Sequence, residues 1–358
     1  MVPQLPIDVI IDILECLCDT LGVRSSGYKT LASCALVCAA WTPPAQKILF
    51  RTLQETTNPT WFSHAIRSIE GNPVLGSYVR SLDVAVYHHE FTYHIPLAAF
   101  VRMLSACPRV FKLSMAFRID WLHSTAMEEL ARLSHLEITT IKWIGKSPAI
   151  YQFMNLWHKT VRFAALDQSF GLPLPSIPRQ PFALHQLVLS SVVTVDREVV
   201  LWFLPIPSED TTSERRPLRI LELSTYLHDP WRIIAARNSE LYSLTLNSGV
   251  PPTPESYKVL QELILRQLPP SRSGAVVLPK SLTHCGFHPR NGSHGHDSLR
   301  DVLIPALRAL PHLRCITLNQ FVSENNVSAL EDLCRRNGAT LTIYPGSYEP
   351  PFPDYNGV

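Results

Sequence analysis

The feature that most constrains the fold is a six-residue pattern, L-x-x-L-x-L, that recurs along most of the chain. Its alternation of apolar and variable residues is typical of a short β-strand with one buried side. Eight copies have apolar residues at all three positions, and they begin at Val79, Val110, Leu133, Leu184, Leu218, Leu241, Leu260 and Leu313. Weaker copies lie at 161–166, 281–287 and 341–343. The chain is therefore expected to contain many short strands.

Segments with helical spacing separate these copies, which follow one another at intervals of about 19 to 34 residues. We predict helices at Leu97–Ala106, Ala126–Leu133, Leu299–Leu310 and Val327–Arg336. Strand and helix alternating at this interval resemble the irregular leucine-rich repeats, over about residues 74–345. The resemblance implies an α/β solenoid. The alternative is an ordinary α/β domain.

The variable positions of the predicted strands are candidates for binding a partner. Successive side chains of a strand point to opposite sides, so these residues face away from the leucines. The candidate substrate-binding residues are Ser81, Asp83, Lys112, His135, Glu137, Glu222, Ser243 and Arg266.

The first fifty residues have helical rather than strand periodicity. After Leu5-Pro6, one apolar stripe runs through the first helix: Ile7, Ile10, Ile11, Leu14 and Leu17. The polar stretch 22–29 breaks the pattern, and a second apolar helix is predicted over Leu31–Trp41. Pro43 and Pro44 then stop or restart the helix.

The order of these residues resembles the F-box, in its fungal form, over about residues 3–53. The family's Leu-Pro, Ile-Leu, Leu-Val-Cys and closing Trp correspond to Leu5-Pro6, Ile13-Leu14, Leu36-Val37-Cys38 and Trp41. The loop between Leu17 and Leu31 is longer than in the compact form. The resemblance implies that apolar residues of this segment divide between an internal core and the surface that binds the SCF adaptor. The candidate adaptor-binding residues are Leu5, Pro6, Ile10, Ile13, Leu14, Leu17, Leu31, Leu36, Val37, Cys38 and Trp41.

The predicted fold is thus α/β, with a helical F-box-like head followed by a leucine-rich-repeat-like solenoid. The predicted boundaries are 1–53 for the adaptor-binding head, 54–73 for a connecting helix or linker, 74–345 for the solenoid and 346–358 for an extended tail.

Composition excludes several classes of function. Lys plus Arg is 32 and Asp plus Glu is 30, so a basic surface for nucleic acid is not expected. Only 14 glycines occur, against 30 prolines, and no glycine-rich phosphate loop is present. Neither a signal peptide nor a membrane span is predicted, and the eight cysteines look like reduced thiols. We therefore expect a protein of the cytosol, the nucleus or both.

Catalytic and metal chemistry are not predicted either. No nucleophile elbow occurs, and adjacent acids such as Glu128 and Glu129 read as solvated charges. The histidines and cysteine between 284 and 296 match no zinc spacing, and we interpret them as an exposed loop. No metal, cofactor or enzymatic activity is expected.

The resemblances together predict a substrate-recognition subunit of an SCF-type cullin–RING E3 ubiquitin ligase. Its partners would be the adaptor, the cullin held through it, and an unknown protein substrate. The alternative is a non-ligase interaction scaffold in which the helical head is a cap.

Overall fold

A computed structural model describes most of the chain in separate stretches. They are residues 5–21, 25–55, 59–87, 95–118, 122, 124–145, 147–166, 184–194, 197–204, 218–226, 234, 240–247, 257–267, 276–288, 299–319 and 324–344. The described residues form two compact units, the first unit up to Leu166 and the second unit from Leu184. The division between the units falls inside 74–345, the range predicted for the repeats. The predicted boundaries of the head at 53 and of the linker at 73 remain predictions. The predicted tail, 346–358, lies outside the described residues.

The first unit combines eight helices with six short strands among its described residues. The helices are α1 (Ile7–Leu21), α2 (Ser25–Ala35), α3 (Thr42–Leu49), α4 (Pro59–Gly71), α5 (Pro73–Gly76), α6 (Leu97–Ala106), α7 (Ser124–Ala131) and α8 (Ala149–Leu156). The strands are β1 (Thr52–Gln54), β2 (Ser81–Tyr87), β3 (Ile95–Pro96), β4 (Lys112–Arg118), β5 (Thr140–Ile144) and β6 (Arg162–Leu166). β1, β2, β4, β5 and β6 pair in that order, β3 pairs with β2, and every pair is parallel.

Among its described residues, the second unit has seven parallel strands that pair in chain order. They are β7 (Gln186–Thr194), β8 (Ile220–Tyr226), β9 (Ser243–Leu246), β10 (Glu262–Leu265), β11 (His284–Phe287), β12 (Cys315–Asn319) and β13 (Thr340–Tyr344). Its described helices are α9 (Arg197–Phe203), a π-helical turn (Leu299–Leu303), α10 (Ile304–Arg308) and α11 (Glu324–Asn337). The predicted α/β class is confirmed.

The leucine pattern sets the register of both sheets. Its middle position stacks across the first unit as Leu53, Leu82, Leu113, Ile141 and Phe163. In the second unit the same position stacks as Leu187, Leu221, Leu244, Leu263, Cys285, Ile316 and Leu341. All but Leu341 are buried. Each short strand therefore adds one side chain to a continuous apolar row, as stacked repeat units do.

Helices cover the buried side of the first sheet. α4, α6, α7 and α8 contact one another in that order. Beneath them Trp143 lies 5.0 Å from Phe117 and 5.5 Å from Phe153 between ring centroids. Such aromatic pairs contribute to stability beyond the apolar area that they bury.

The predicted helices are mostly present with shifted ends. The helix predicted at Leu97–Ala106 is confirmed as α6, and α11 contains the one predicted at Val327–Arg336. α7 begins two residues before the predicted Ala126 and ends at Ala131. The predicted Leu299–Leu310 helix is divided into a π-helical turn and α10.

Candidate functional site

The N-terminal part of the first unit, which we call the head, is built by α1, α2 and α3. α1 and α2 both contact α3, and they also contact each other. Ile10 and Leu14 of α1 and Leu31 of α2 are 2%, 0% and 3% exposed. These three members of the predicted adaptor-binding set form the interior of the head, so a partner cannot contact them directly.

The other predicted adaptor-binding residues remain accessible. Leu17 and Trp41 are half-buried, and six residues are exposed: Leu5, Pro6, Ile13, Leu36, Val37 and Cys38. Ile7 and Val9, which the sequence analysis did not select, are also exposed. The large aliphatic members, which we call the exposed apolar set of the head, are Leu5, Ile7, Val9, Ile13, Leu36 and Val37.

The predicted second helix has the wrong bounds. α2 starts at Ser25, inside the predicted polar break, and ends at Ala35. Leu36 and Val37 lie in a turn, in which the Thr42 hydroxyl donates a hydrogen bond to the Ala35 carbonyl at 2.7 Å. The turn exposes 87% of Leu36 and 64% of Val37. Two neighbouring apolar residues thus project into solvent where a continuous helix was expected.

The unexpected start of α2 has a tertiary cause. Its sequence is polar, but Tyr28 is buried and its hydroxyl donates to the Thr52 carbonyl at 3.4 Å. Pro43 and Pro44 lie in the first turn of α3, where a proline lacks no helical hydrogen bond. A new helix thus begins at the two prolines, which is one of the two outcomes that their positions predict.

Three of the predicted substrate-binding residues lie on the outward face of the first sheet. Ser81 and Lys112 are opposite each other on β2 and β4, and Asp83 is opposite Ser114. Burial raises the pKa of Asp83, against the lowering effects of the Ser114 hydroxyl, Lys142 and Lys112. Acidic and basic groups thus meet on this half-buried surface.

His135 and Glu137 do not lie on a strand, and the register predicted at Leu133-x-x-Leu136-x-Ile138 is wrong. Both residues are exposed in the connection between α7 and β5. The apolar residues of this copy are buried in the connection instead, and β5 begins at Thr140.

The true copy is Ile138-x-x-Ile141-x-Trp143, five residues later. Ile141 pairs with Leu113, which places Lys142 at the outward position. Two overlapping copies compete in this sequence, and the later one has the β-branched and aromatic residues that strands favour. That preference is the signal that could have identified Lys142.

Glu222, Ser243 and Arg266 lie on the outward face of the second sheet, and two of them, Glu222 and Arg266, are in contact. Arg266 Nη2 donates to Glu222 Oε1 at 2.5 Å, across β9, and each side chain is 13% exposed. The Ser243 hydroxyl donates to Glu262 on the neighbouring strand β10. The charges on this face are paired with one another.

A second chain of hydrogen bonds crosses from β10 to β12. His284 Nδ1 lies 2.6 Å from Glu262 Oε1, and His284 Nε2 lies 2.9 Å from Thr317 Oγ1. The same hydroxyl lies 3.1 Å from His288 Nε2. An ionised carboxylate only accepts, so His284 donates from Nδ1 to Glu262.

Burial and neighbouring groups determine the charges of Glu262 and His288. Burial raises the pKa of Glu262, but the hydrogen bonds from His284 and Ser243 outweigh it and hold the pKa below its ordinary value. Burial, with the charges of Arg266 and His284, lowers the pKa of His288 to about 4. Glu262 is therefore ionised and His288 neutral at pH 7.

Gly286 leaves room for the hydrogen bonds that Thr317 forms with His284 and His288. A Cβ there would lie 2.9 Å from Thr317 Oγ1 and 3.0 Å from both His288 Nε2 and Ile264 Cγ1. A side chain at this position would therefore push the Thr317 hydroxyl and the His288 ring apart.

The predicted His/Cys loop begins in a strand, so its interpretation as exposed is wrong in part. His284 and Cys285 belong to β11, and Cys285 and His288 are buried. Burial, with the charges of Cys315 and Glu262, raises the pKa of Cys285 to about 12, so its thiol stays protonated. His294 and His296 lie outside the described residues.

Within the described stretches, no three His, Cys, Asp or Glu side chains are grouped so that they could hold a metal ion. No helix there is long and apolar enough to cross a membrane.

Comparison with models of protein families and with curated proteins found no match to this chain.

Proposed function

We propose that this chain is the substrate-recognition subunit of an SCF-type cullin–RING E3 ubiquitin ligase. The F-box-like head binds the adaptor and, through it, the cullin. The leucine-rich-repeat-like strands hold a protein substrate on their outward faces. This role is carried out in the cytosol, the nucleus or both.

The observation that carries the proposal is the exposed apolar set of the head. Ile7, Leu36 and Val37 are 58%, 87% and 64% exposed, although removing such side chains from water is favourable. Apolar residues concentrated in this way mark surfaces that bind a protein. Two members of the set, Leu36 and Val37, belong to the Leu-Val-Cys run on which the F-box resemblance rests.

The interior of the head supports the same proposal. Ile10, Leu14 and Leu31 pack inside it, so the head has a core of its own beneath the exposed side chains. The F-box resemblance implies this division of the apolar residues between a core and an adaptor surface.

The outward sheet faces suit substrate binding. They carry charged and hydroxyl side chains on parallel strands, with the apolar rows turned to the other side. Transfer of ubiquitin would take place on other subunits, and this chain would contribute by holding the substrate close to them. Tethering raises the effective concentration of the reacting groups and needs no catalytic residue in the receptor.

Co-purification tests the proposal. The double variant Leu36→Asp/Val37→Asp should fold normally, because both side chains are exposed, and should lose the adaptor and the cullin. The matched control is Val259→Asp/Val277→Asp, which alters two exposed valines of the second unit, 46% and 59% accessible, and should retain both partners.

Leu14 is unsuitable for this test, because it is fully buried and an aspartate there would unfold the head. If the unaltered chain captures neither adaptor nor cullin, the ligase role is wrong. The chain is then better explained as an interaction scaffold whose helical head is a cap.

A further inference from the structure

Three basic side chains lie on neighbouring strands of the first unit. Lys112 of β4 is opposite Thr140 of β5, which is opposite Arg162 of β6, so Lys112 and Arg162 share one outward row. Lys142 lies in the next outward row of β5. All three are half-buried, and we call them the basic face.

The observed register of β5 creates this face. The predicted copy placed His135 and Glu137 at the outward positions, which would have put an acid at the position that Lys142 occupies. The observed strand places Thr140 and Lys142 there instead. The outward surface of β4 to β6 is therefore basic rather than mixed.

The two lysines of the basic face have no acidic group in close contact among the described residues: no carboxylate there lies within 4.0 Å of Lys112 or Lys142. Asp83 is near enough for both lysines to affect it, but it lies on β2, at one side of the basic face. Half-buried cations without a close partner bind an anion more strongly than fully hydrated ones do.

We propose that the basic face binds an acidic, extended segment of the protein substrate. Adjacent strands are about 4.8 Å apart, so Lys112 and Arg162 are separated by about 10 Å. An extended peptide advances about 3.3 Å per residue, so acids two residues apart lie on one side of it, about 7 Å from each other. The long side chains of Lys112 and Arg162 can span the remaining difference. The neighbouring hydroxyls of Ser81 and Thr140 offer hydrogen bonds to the same segment.

A peptide fits this face better than a nucleic acid does. Three cations can neutralise only a few phosphates, whereas nucleic-acid sites commonly contact about six to ten. Asp83, beside Lys112, would also repel a continuous phosphate backbone. A short acidic segment can avoid this carboxylate.

The inference rests on the proposed function and deepens it, because it names the class of substrate. The test uses the full chain and labelled peptides of alternating Glu and Ser, of alternating phosphoserine and Gly, and of alternating Gln and Ser. Fluorescence anisotropy measures binding at about 50 mM and about 200 mM salt. One or both acidic peptides should bind, at least fivefold more weakly at the higher salt, and the Gln peptide should not.

Charge variants locate the binding. Lys112→Glu/Lys142→Glu should weaken acidic-peptide binding at least tenfold, and Lys112→Gln/Lys142→Gln should weaken it severalfold with less risk to folding. The control Lys159→Glu/Lys280→Glu makes the same charge change at two exposed lysines in turns and should bind normally.

Several outcomes overturn the inference. They are no binding of either acidic peptide, equal loss in the control, unchanged binding by both Lys112/Lys142 variants, or tighter binding of a DNA duplex than of the peptides. Capture of the adaptor by the same preparations is measured in parallel. Loss of peptide binding with adaptor capture intact refutes only the acidic segment, whereas failure of adaptor capture refutes the ligase role.

Discussion

Glu55, which directly follows β1, should make the first unit less stable as pH rises. Its side chain is 4% exposed, and its Oε2 accepts a hydrogen bond from the Ala85 N–H at 2.6 Å. Burial raises the pKa of Glu55 from 4.5 to about 7; the Ala85 hydrogen bond opposes this shift, and the Asp83 charge adds to it. The folded state therefore holds the proton more tightly than the unfolded chain does.

The size of the effect follows from this difference in pKa. A carboxyl with a raised pKa disfavours folding progressively as pH rises from 4.5 through about 7, and the full cost is reached above that range. At about 1.4 kcal/mol per pKa unit, the folded state should lose about 2 to 3 kcal/mol between pH 5 and pH 8.

Glu55→Gln isolates this contribution, because the amide oxygen can still accept the Ala85 hydrogen bond while no proton is lost. Urea unfolding at several pH values, followed by circular dichroism, measures both proteins. The variant should gain about 2 to 3 kcal/mol over the unaltered chain between pH 5 and pH 8. Parallel pH profiles for the two proteins would refute the raised pKa.

Three further predictions concern the core, the strand face and His288. Trp143→Ala should lower the free energy of unfolding by about 3 to 5 kcal/mol, because it opens a cavity in a buried aromatic cluster. The control Phe111→Ala, at a 43% exposed residue, should cost far less. Equal losses of the two variants in urea unfolding would contradict this prediction. Gly286→Ala should destabilise by about 1 to 3 kcal/mol through crowding of Thr317 and His288, and an unchanged melting temperature would rule out the close packing. Burial keeps the pKa of His288 near 4, so its contribution is present above pH 6.5 and is lost as pH falls towards about 4. His288→Asn should therefore flatten that part of the stability profile measured by thermal melting, and an identical profile would contradict the assigned neutral state.

The regular part of the fold was predictable because leucine and strand coincide in most copies. At Leu82, Leu113, Leu221, Leu244 and Leu263 the middle position of the pattern faces the core. Burial alone does not define a strand, however. Leu133 and Leu136 are buried as well, in the connection before β5. An apolar pattern cannot distinguish a buried strand from such a buried connection.

The head was less predictable, for a related reason. The polar sequence of α2 is helical because tertiary contacts, such as that of Tyr28, hold it in place. The early end of α2 at Ala35 decides which residues face solvent. Sequence periodicity could not separate the buried Ile10 and Leu14 from the exposed Leu36.

The faces of the sheets depend on pairs that are distant in sequence. The Glu222–Arg266 ion pair and the His284–Thr317 hydrogen bond join residues 44 and 33 positions apart. Such pairs follow from strand register, and the local pattern predicts only which side of a strand each residue occupies. Glu262 and Thr317 were therefore missed, although both occupy outward positions of predicted copies.

Calorimetric titration of the purified full chain with the purified SCF adaptor decides whether the head is an adaptor-binding domain. The proposed role predicts one-to-one binding with a negative heat-capacity change, since apolar side chains such as Leu36 and Val37 leave water. Leu36→Asp/Val37→Asp should abolish the binding while Val259→Asp/Val277→Asp preserves it. Absence of binding by the unaltered, folded chain would contradict the proposed role.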